Sequence, residues 1–131
     1  MKRILIDTNA YARLMTGDEG VLAVLAEAEV VYLSVIVLGE LFAGFRGGKR
    51  EAENRAMLRD FRAAPTVMTL PATDETAESF GALKETLKRA GTPLPLNDVW
   101  IAAHALEVGA TLISFDAHFR VVKGLRRWPS I

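Results

Sequence analysis

The sequence predicts an α/β fold in which a short, mostly parallel sheet is flanked by helices on both faces. Short apolar runs alternate with longer segments of helical spacing along the chain, which is typical of parallel strands joined by helices. Several runs are continuously apolar, as expected of strands buried on both faces. Half of the 131 residues are apolar and no repeat or linker divides them, so we predict one domain over residues 1–131.

Local signals place each element in chain order. The run Lys2 to Ile6 predicts a buried first strand that ends at Asp7. Next we predict two helices, a strand, two helices and a third strand, over residues 10–15, 19–29, 30–33, 35–45, 51–63 and 67–70. A helix over 73–90, a helix over 99–108, a fourth strand over 111–114 and an edge strand near Arg127-Trp128 complete the prediction.

Composition excludes several kinds of site. The chain has no cysteine, which rules out disulfides, thiolate nucleophiles and cysteine zinc sites, so a metal would need oxygen or imidazole ligands. Its apolar stretches are shorter than the roughly 20 residues of a membrane span, so we expect no membrane association. The first apolar run is cut at Asp7, far short of a secretion signal, and we expect a cytoplasmic protein.

The charges balance overall but are unevenly distributed. There are 16 basic and 16 acidic residues, so net charge gives no argument for a nucleic-acid partner. Basic residues nevertheless cluster in two places, at Arg46, Lys49 and Arg50 and in a tail with Arg120, Lys123, Arg126 and Arg127. Those residues suit a polyanionic substrate if metal neutralises the acids, and they suit a solvated helix face and a solubilising tail equally well.

Four carboxylates, far apart in sequence, occupy positions that an α/β fold directs toward one cleft. Asp7 and Asp116 follow predicted strands, at the carboxyl ends where open parallel sheets bind ligands. Asp98 is at a predicted helix start, and Glu40 lies in an otherwise apolar helical segment, where a buried glutamate must be paired, protonated or metal-bound. The combination predicts a metal site, although each acid alone is more often a cap or turn residue.

Electrostatics then favour a divalent cation. Two like charges about 4 Å apart repel by roughly 4 kcal/mol at an effective dielectric of about 20, so clustered carboxylates need a counter-charge. Mg²⁺, with Mn²⁺ as the alternative, prefers oxygen ligands and can activate water against a phosphodiester. Ser114, Thr8 and Asn9 are candidates to support the acids, while Thr8 and Asn9 are equally candidates for ordinary helix caps.

The histidines and tryptophans give weaker signals. A pair of imidazoles can cleave RNA without metal, and the chain has only His104 and His118. At about 100° per residue, His104 lies roughly 120° around its helix from Asp98, so we expect it to be structural or at a subunit contact. Trp100 and Trp128 are candidates for stacking on bases, but core or interface packing is the commoner use of such residues.

Four segments together resemble the PIN-domain ribonucleases, and among them the short VapC-type toxins of prokaryotic toxin–antitoxin pairs. The segments are Ile4-Leu5-Ile6-Asp7-Thr8-Asn9, Ser34-Val35-Ile36-Val37-Leu38-Gly39-Glu40-Leu41, Asn97-Asp98-Val99-Trp100-Ile101-Ala102-Ala103 and Leu112-Ile113-Ser114-Phe115-Asp116-Ala117-His118-Phe119. Each is weakly specific alone, and their order and spacing make the resemblance specific. One departure is Ser114, where the family often has threonine, and the hydroxyl is preserved.

The resemblance implies a PIN-like sheet and a metal-dependent endoribonuclease. It implies that Asp7, Glu40, Asp98 and Asp116 bind one or two Mg²⁺ or Mn²⁺ ions, with Asn97 as a further member of the polar surroundings. It also implies an RNA substrate, a homodimer and a cognate VapB-type antitoxin.

Three other functions remain open on the sequence. A housekeeping PIN-domain RNA-processing nuclease would have the same acids. A haloacid-dehalogenase-like phosphatase also begins with an aspartate after a strand, but it needs a second acid two residues later, where this chain has Asn9, and it gives Glu40 no role. A non-catalytic binding module would not require all four carboxylates.

Overall fold

A single parallel sheet organises the protein. The computed structural model describes residues 1–130, so Ile131, the last residue of the predicted domain, lies outside the described residues. The strands are β1 (Arg3–Ile6), β2 (Val30–Ser34), β3 (Val67–Leu70), β4 (Thr111–Ile113) and β5 (Arg127–Trp128). They pair in the order β3-β2-β1-β4-β5, and every pair is parallel.

Within residues 1–130, six α-helices connect the strands, and a 3-10 helix (Ala117–Val121) follows β4. The helices are α1 (Thr8–Met15), α2 (Glu19–Glu27), α3 (Val35–Phe45), α4 (Glu51–Ala63), α5 (Asp74–Arg89) and α6 (Leu96–Val108). The sequence predicts every one of these α-helices, and the predicted starts of α1 and α6 are two and three residues late. None of the helices in residues 1–130 has the length and hydrophobicity of a membrane span.

The core confirms that helices cover both faces of the sheet. Side chains alternate between the two faces along a strand, yet Ile4, Leu5 and Ile6 are consecutive and all fully buried. Leu112 and Ile113 of the neighbouring strand are equally buried. Strands β1 and β4 therefore form the hydrophobic centre, which is the reason that their sequences are continuously apolar.

The strand order of the sheet reverses between β1 and β4. Successive strands β1, β2 and β3 lie in order toward one edge, and β4 then pairs on the other side of β1. Ile6 is in register with Ile113, and the backbone N–H of Asp7 donates to the carbonyl of Ile113 at 2.9 Å. This is the topological switch point, the place where open parallel sheets bind their ligands.

A buried cluster of polar groups around His104 fixes α6 against the ends of β2 and β3. His104 is 1% exposed, with Nδ1 2.8 Å from Ser34 Oγ and Nε2 3.0 Å from the carbonyl of Pro71. A carbonyl only accepts, so Nε2 donates to Pro71 and Nδ1 accepts from the Ser34 hydroxyl. Ser34 Oγ also accepts from the Ile36 N–H as the N-cap of α3. His104 thus has the structural role that its position on the helix predicts.

Candidate metal centre

Asp7 lies buried at the switch point. It follows β1 directly, caps the N-terminus of α1 and is 5% exposed. Its Oδ1 accepts from the Thr8 N–H at 2.8 Å, and its Oδ2 accepts from Ser114 Oγ at 2.7 Å. Burial raises the pKa of the Asp7 carboxyl; the two hydrogen bonds oppose this, and the charges of Asp98 and Glu40 raise it further.

Glu40 approaches Asp7 from α3 and is only half-buried, so its surroundings are more open than the apolar sequence around it suggests. Its Oε1 accepts from the Thr8 hydroxyl at 2.6 Å, and its Oε2 accepts from the Asn97 side-chain amide at 3.4 Å. These two donors come from the starts of α1 and α6, and they hold the glutamate between those helix ends.

Asp98 enters from the first turn of α6. That helix begins at Leu96 rather than at the predicted residue 99, directly after Pro95, so Asn97 and Asp98 both belong to its first turn. Burial raises the pKa of the Asp98 carboxyl, a hydrogen bond and the charge of His118 oppose the rise, and the charges of Asp116 and Glu40 add to it. Asp98 is therefore close to two other acids.

Asp116 and His118 join the acidic cluster from the segment after β4. Asp116 precedes the 3-10 helix, and its Oδ1 is 2.7 Å from His118 Nδ1. The other ring nitrogen, Nε2, is 2.6 Å from Asp98 Oδ2, so the imidazole bridges two of the four predicted acids. From the sequence alone we assign no role to His118, although its position two residues after Asp116 is a signal that could have placed it in the site.

Two further polar residues position the backbone around the acids. The Ser114 hydroxyl donates to Asp7 and accepts from the Asp116 N–H at 3.1 Å, so it links two carboxylate residues. Asn9 Oδ1 accepts from the Phe115 N–H at 3.1 Å, across the gap between α1 and the segment after β4. Asp7 is the cap of α1, so neither Thr8 nor Asn9 is a helix cap.

The structure thus gathers every residue that the sequence nominated for the site. The four acids, the four supporting residues and His118 all lie in this region. Hydrogen bonds link the supporting residues to the acids or to the backbone beside them, and the acids are close enough for their charges to repel. The catalytic and metal-binding roles of these residues remain predictions, because proximity alone does not establish them.

The donor set fits a divalent cation. Burial and mutual repulsion disfavour the ionised forms of Asp7 and Asp98, and a bound cation would relieve both effects. Asp98, Asp116 and His118 each offer one ligand atom, and these three atoms lie within 4.8 Å of one another. The remaining donors are oxygens, the ligand type that Mg²⁺ and Mn²⁺ prefer.

The aromatic candidates lie in packing positions. Trp100 stacks on Phe80 with ring centroids 4.0 Å apart, and Trp128 meets Phe115 edge to face at 6.2 Å. Phe119 is fully buried and anchors the 3-10 helix that carries His118. These contacts assign the rings to packing, as the sequence reasoning preferred.

Known proteins resemble this chain over most of its length. A family model of the PIN domain matches residues 4–125. Ribonuclease VapC1 of Haemophilus influenzae (strain R2866) is 28% identical over 116 residues, which cover 86% of this chain and 85% of that protein.

Solved structures of similar proteins superimpose on this chain over most of its length. DNA-bound VapBC from Salmonella typhimurium superimposes with a TM-score of 0.85 at 24% identity, over 97% of each chain. VapBC-1 from nontypeable Haemophilus influenzae gives a TM-score of 0.80 at 25% identity, over 95% of each chain. The predicted fold and the resemblance are both confirmed, and the chain belongs to the PIN domain family.

Proposed function

We propose that this protein is a divalent-metal-dependent endoribonuclease that hydrolyses RNA phosphodiester bonds, and that it acts as the toxin of a toxin–antitoxin pair. The observation that carries the proposal is the convergence of four carboxylates at the switch point of a PIN domain. The relatives named ribonuclease VapC, which align over most of the chain, support the nuclease activity.

Asp7, Glu40, Asp98 and Asp116 would hold one or two ions, with Mg²⁺ as the first candidate and Mn²⁺ as the second. When bound, such an ion supplies an activated water and stabilises negative charge on a phosphodiester. The oxygen-rich donor set supports these two ions over metals that prefer thiolates, and the chain has no cysteine.

The chain's own residues hold the acids in position before substrate arrives. Ser114 fixes one oxygen of Asp7, and Thr8 fixes one oxygen of Glu40. Such supporting hydrogen bonds reduce the reorganisation needed when a ligand binds, and they set the direction of the remaining lone pairs. No covalent protein nucleophile is required in this scheme, because a water oxygen would bond to the phosphorus as the bond from phosphorus to the leaving ribose oxygen breaks.

Basic residues near the surface are the candidates for contact with the RNA backbone. Arg46 and Lys49 are exposed, whereas Arg50 is engaged by Glu53 with Nη2 2.6 Å from Oε1. In the tail, the Arg126 guanidinium donates to the carbonyl of Gly109 at 2.6 Å. We therefore propose Arg46, Lys49 and the exposed Lys123 as the more available phosphate contacts.

The proposed partner is a cognate VapB-type antitoxin, and the proposed oligomer is a homodimer. Several similar solved structures are VapBC or toxin–antitoxin complexes, some of them bound to DNA. Co-purification of this chain with the product of a neighbouring small reading frame would test the partner, and light scattering of the chain alone would test the dimer.

The nuclease is tested by incubating a pool of structured cellular RNA with the protein in Mg²⁺, in Mn²⁺ and in EDTA. Wild type is compared with Asp7→Asn and with Asp60→Asn, which makes the same chemical change at an exposed aspartate of α4. We expect cleavage by wild type and Asp60→Asn that requires metal, and no cleavage by Asp7→Asn. Cleavage that survives both EDTA and Asp7→Asn would contradict the proposal.

A further inference from the structure

We propose that His118 is an additional ligand of the divalent ion, so that this chain binds the ion through an imidazole nitrogen as well as through carboxylate oxygens. The inference rests on the metal centre of the proposed function. It adds a residue outside the four acids and predicts which ion the centre prefers.

The position of the ring carries the inference. His118 Nε2 is 2.6 Å from Asp98 Oδ2, and Nδ1 is 2.7 Å from Asp116 Oδ1. One ligand atom from each of the three residues lies within a 4.8 Å cluster. An ion that contacts both carboxylates therefore meets the imidazole, which lies directly between them.

The ring has suitable chemistry for this position. An imidazole binds a metal through the lone pair of one nitrogen, while the N–H of the other commonly donates to a carboxylate that orients the ring. Both nitrogens of His118 already contact carboxylates, so the ring can offer one of them to the ion and keep the other hydrogen bond.

The ring is also held in place. His118 lies in the 3-10 helix that Asp116 precedes, and the next residue, Phe119, is fully buried and packs 5.1 Å from the imidazole centroid. The His118 side chain is 39% exposed, so an ion from solvent can reach it. Anchoring by Phe119 distinguishes this side chain from a freely rotating surface histidine.

The second histidine cannot contribute a ligand. His104 is 1% exposed, and both of its ring nitrogens are committed to Ser34 and to the carbonyl of Pro71. The chain has only these two histidines. An imidazole nitrogen detected at the metal must therefore belong to His118.

Pulsed EPR of bound Mn²⁺ tests the inference directly on the untagged, full-length protein. Directly coordinated imidazole nitrogen modulates the electron spin echo, and the modulation changes when ¹⁴N is replaced by ¹⁵N. We expect a nitrogen coupling in wild type that changes in protein grown with ¹⁵N-histidine and disappears in His118→Ala. Bound Mn²⁺ without any histidine coupling would overturn the inference while leaving the carboxylate centre intact.

Calorimetric titration with Mn²⁺ and Mg²⁺ gives an independent readout. Mn²⁺ accepts an imidazole nitrogen more readily than Mg²⁺, which binds carboxylate oxygens and water, so we expect His118→Ala and His118→Asn to raise the Kd for Mn²⁺ by about 10-fold and to change the Kd for Mg²⁺ less. Tighter Mn²⁺ binding in both variants would show that the ring obstructs the ion, and would overturn the inference. Failure of wild type to bind either ion would instead overturn the proposed function itself.

Discussion

His104 and His118 both have hydrogen-bonding partners at each ring nitrogen, but the two clusters around them differ in kind. The His104 ring contacts a serine hydroxyl and a backbone carbonyl, neither of which carries a charge. The His118 cluster joins two carboxylates, beside which lie Asp7 and Glu40. Each cluster includes a serine at the carboxyl end of a central strand: Ser34 is the last residue of β2, and Ser114 directly follows β4.

The difference distinguishes a structural cluster from a functional one. A buried network with all its hydrogen bonds satisfied is stable and needs no ligand. A partly buried cluster of like charges is unfavourable, and a bound cation would relieve the repulsion between its members. The raised pKa values of Asp7 and Asp98 record that cost. Three of the four predictions that follow alter the acidic cluster, and one alters the His104 cluster.

Loss of one charge from the acidic cluster should have the largest effect. In Glu40→Gln the side chain keeps its length, so we expect the fold to persist while RNA cleavage falls by more than about 100-fold, since lost support for metal ligands alone can cost that much. Cleavage rates per folded molecule measure this, and Glu78→Gln, at an exposed position of α5, is the matched control. Activity above one-tenth of wild type in Glu40→Gln would remove Glu40 from the mechanism.

Truncation of His104 should lower the stability of the fold, in contrast to the effect of Glu40→Gln on RNA cleavage. His104→Ala leaves a cavity and two unpartnered polar groups, so we expect the free energy of unfolding to fall by about 2–4 kcal/mol. Urea unfolding measures it, with His118→Ala at the half-exposed ring as the comparison, which we expect to lose less. The comparison fails if the two alanine variants are equally stable.

Ser114→Ala should weaken metal binding without removing a ligand. The substitution leaves Asp7 Oδ2 without its 2.7 Å donor and the Asp116 N–H without its acceptor. We expect the Kd for Mn²⁺ to rise about 10-fold, and Ser114→Thr to restore it because the hydroxyl returns. Titration calorimetry checks both variants. An unchanged Kd in Ser114→Ala would mean that the hydroxyl only stabilises the turn.

The smallest effect is on the pH dependence of stability without metal. The folded-state pKa of Asp7 is raised, so the native protein binds a proton more readily than the unfolded chain, and the charged carboxylate costs stability above that pKa. Asp7→Asn should therefore be more stable than wild type at neutral pH. The advantage should shrink as the pH falls through the folded pKa toward the unfolded value, which thermal unfolding across this range measures. A difference that does not change with pH would assign the gain to packing.

The sequence predicts most of the fold because the fold depends on local signals. Continuous apolar runs identify β1 and β4, and turn residues mark the ends of most helices, including Gly109 after α6, where φ is 67°. The predicted start of α6 is three residues late because two nearby prolines, Pro93 and Pro95, favour a loop in the sequence. Proline is acceptable at a helix start, where the missing N–H is not needed, and the helix begins directly after Pro95.

The sequence predicts which acids belong to the site, but it does not predict the side-chain contacts that they make. Asp7 and Asp116 follow strands, and that position alone directs them to the switch point. The contact between Asn97 and Glu40 joins residues 57 positions apart, and His118 reaches Asp98 across 20 positions. Both contacts depend on how α3, α6 and the 3-10 helix pack, which a single sequence does not specify.

The central claim is that the acidic cluster is a divalent-ion site, and thermal unfolding with and without Mn²⁺ tests it most directly. A ligand that binds only the native state stabilises it in proportion to the logarithm of its concentration over Kd. Without metal we expect Asp7→Asn to unfold at a higher temperature than wild type, and in excess Mn²⁺ we expect the order to reverse because only wild type gains stability. Equal shifts in the two proteins, or no shift in either, would contradict the claim.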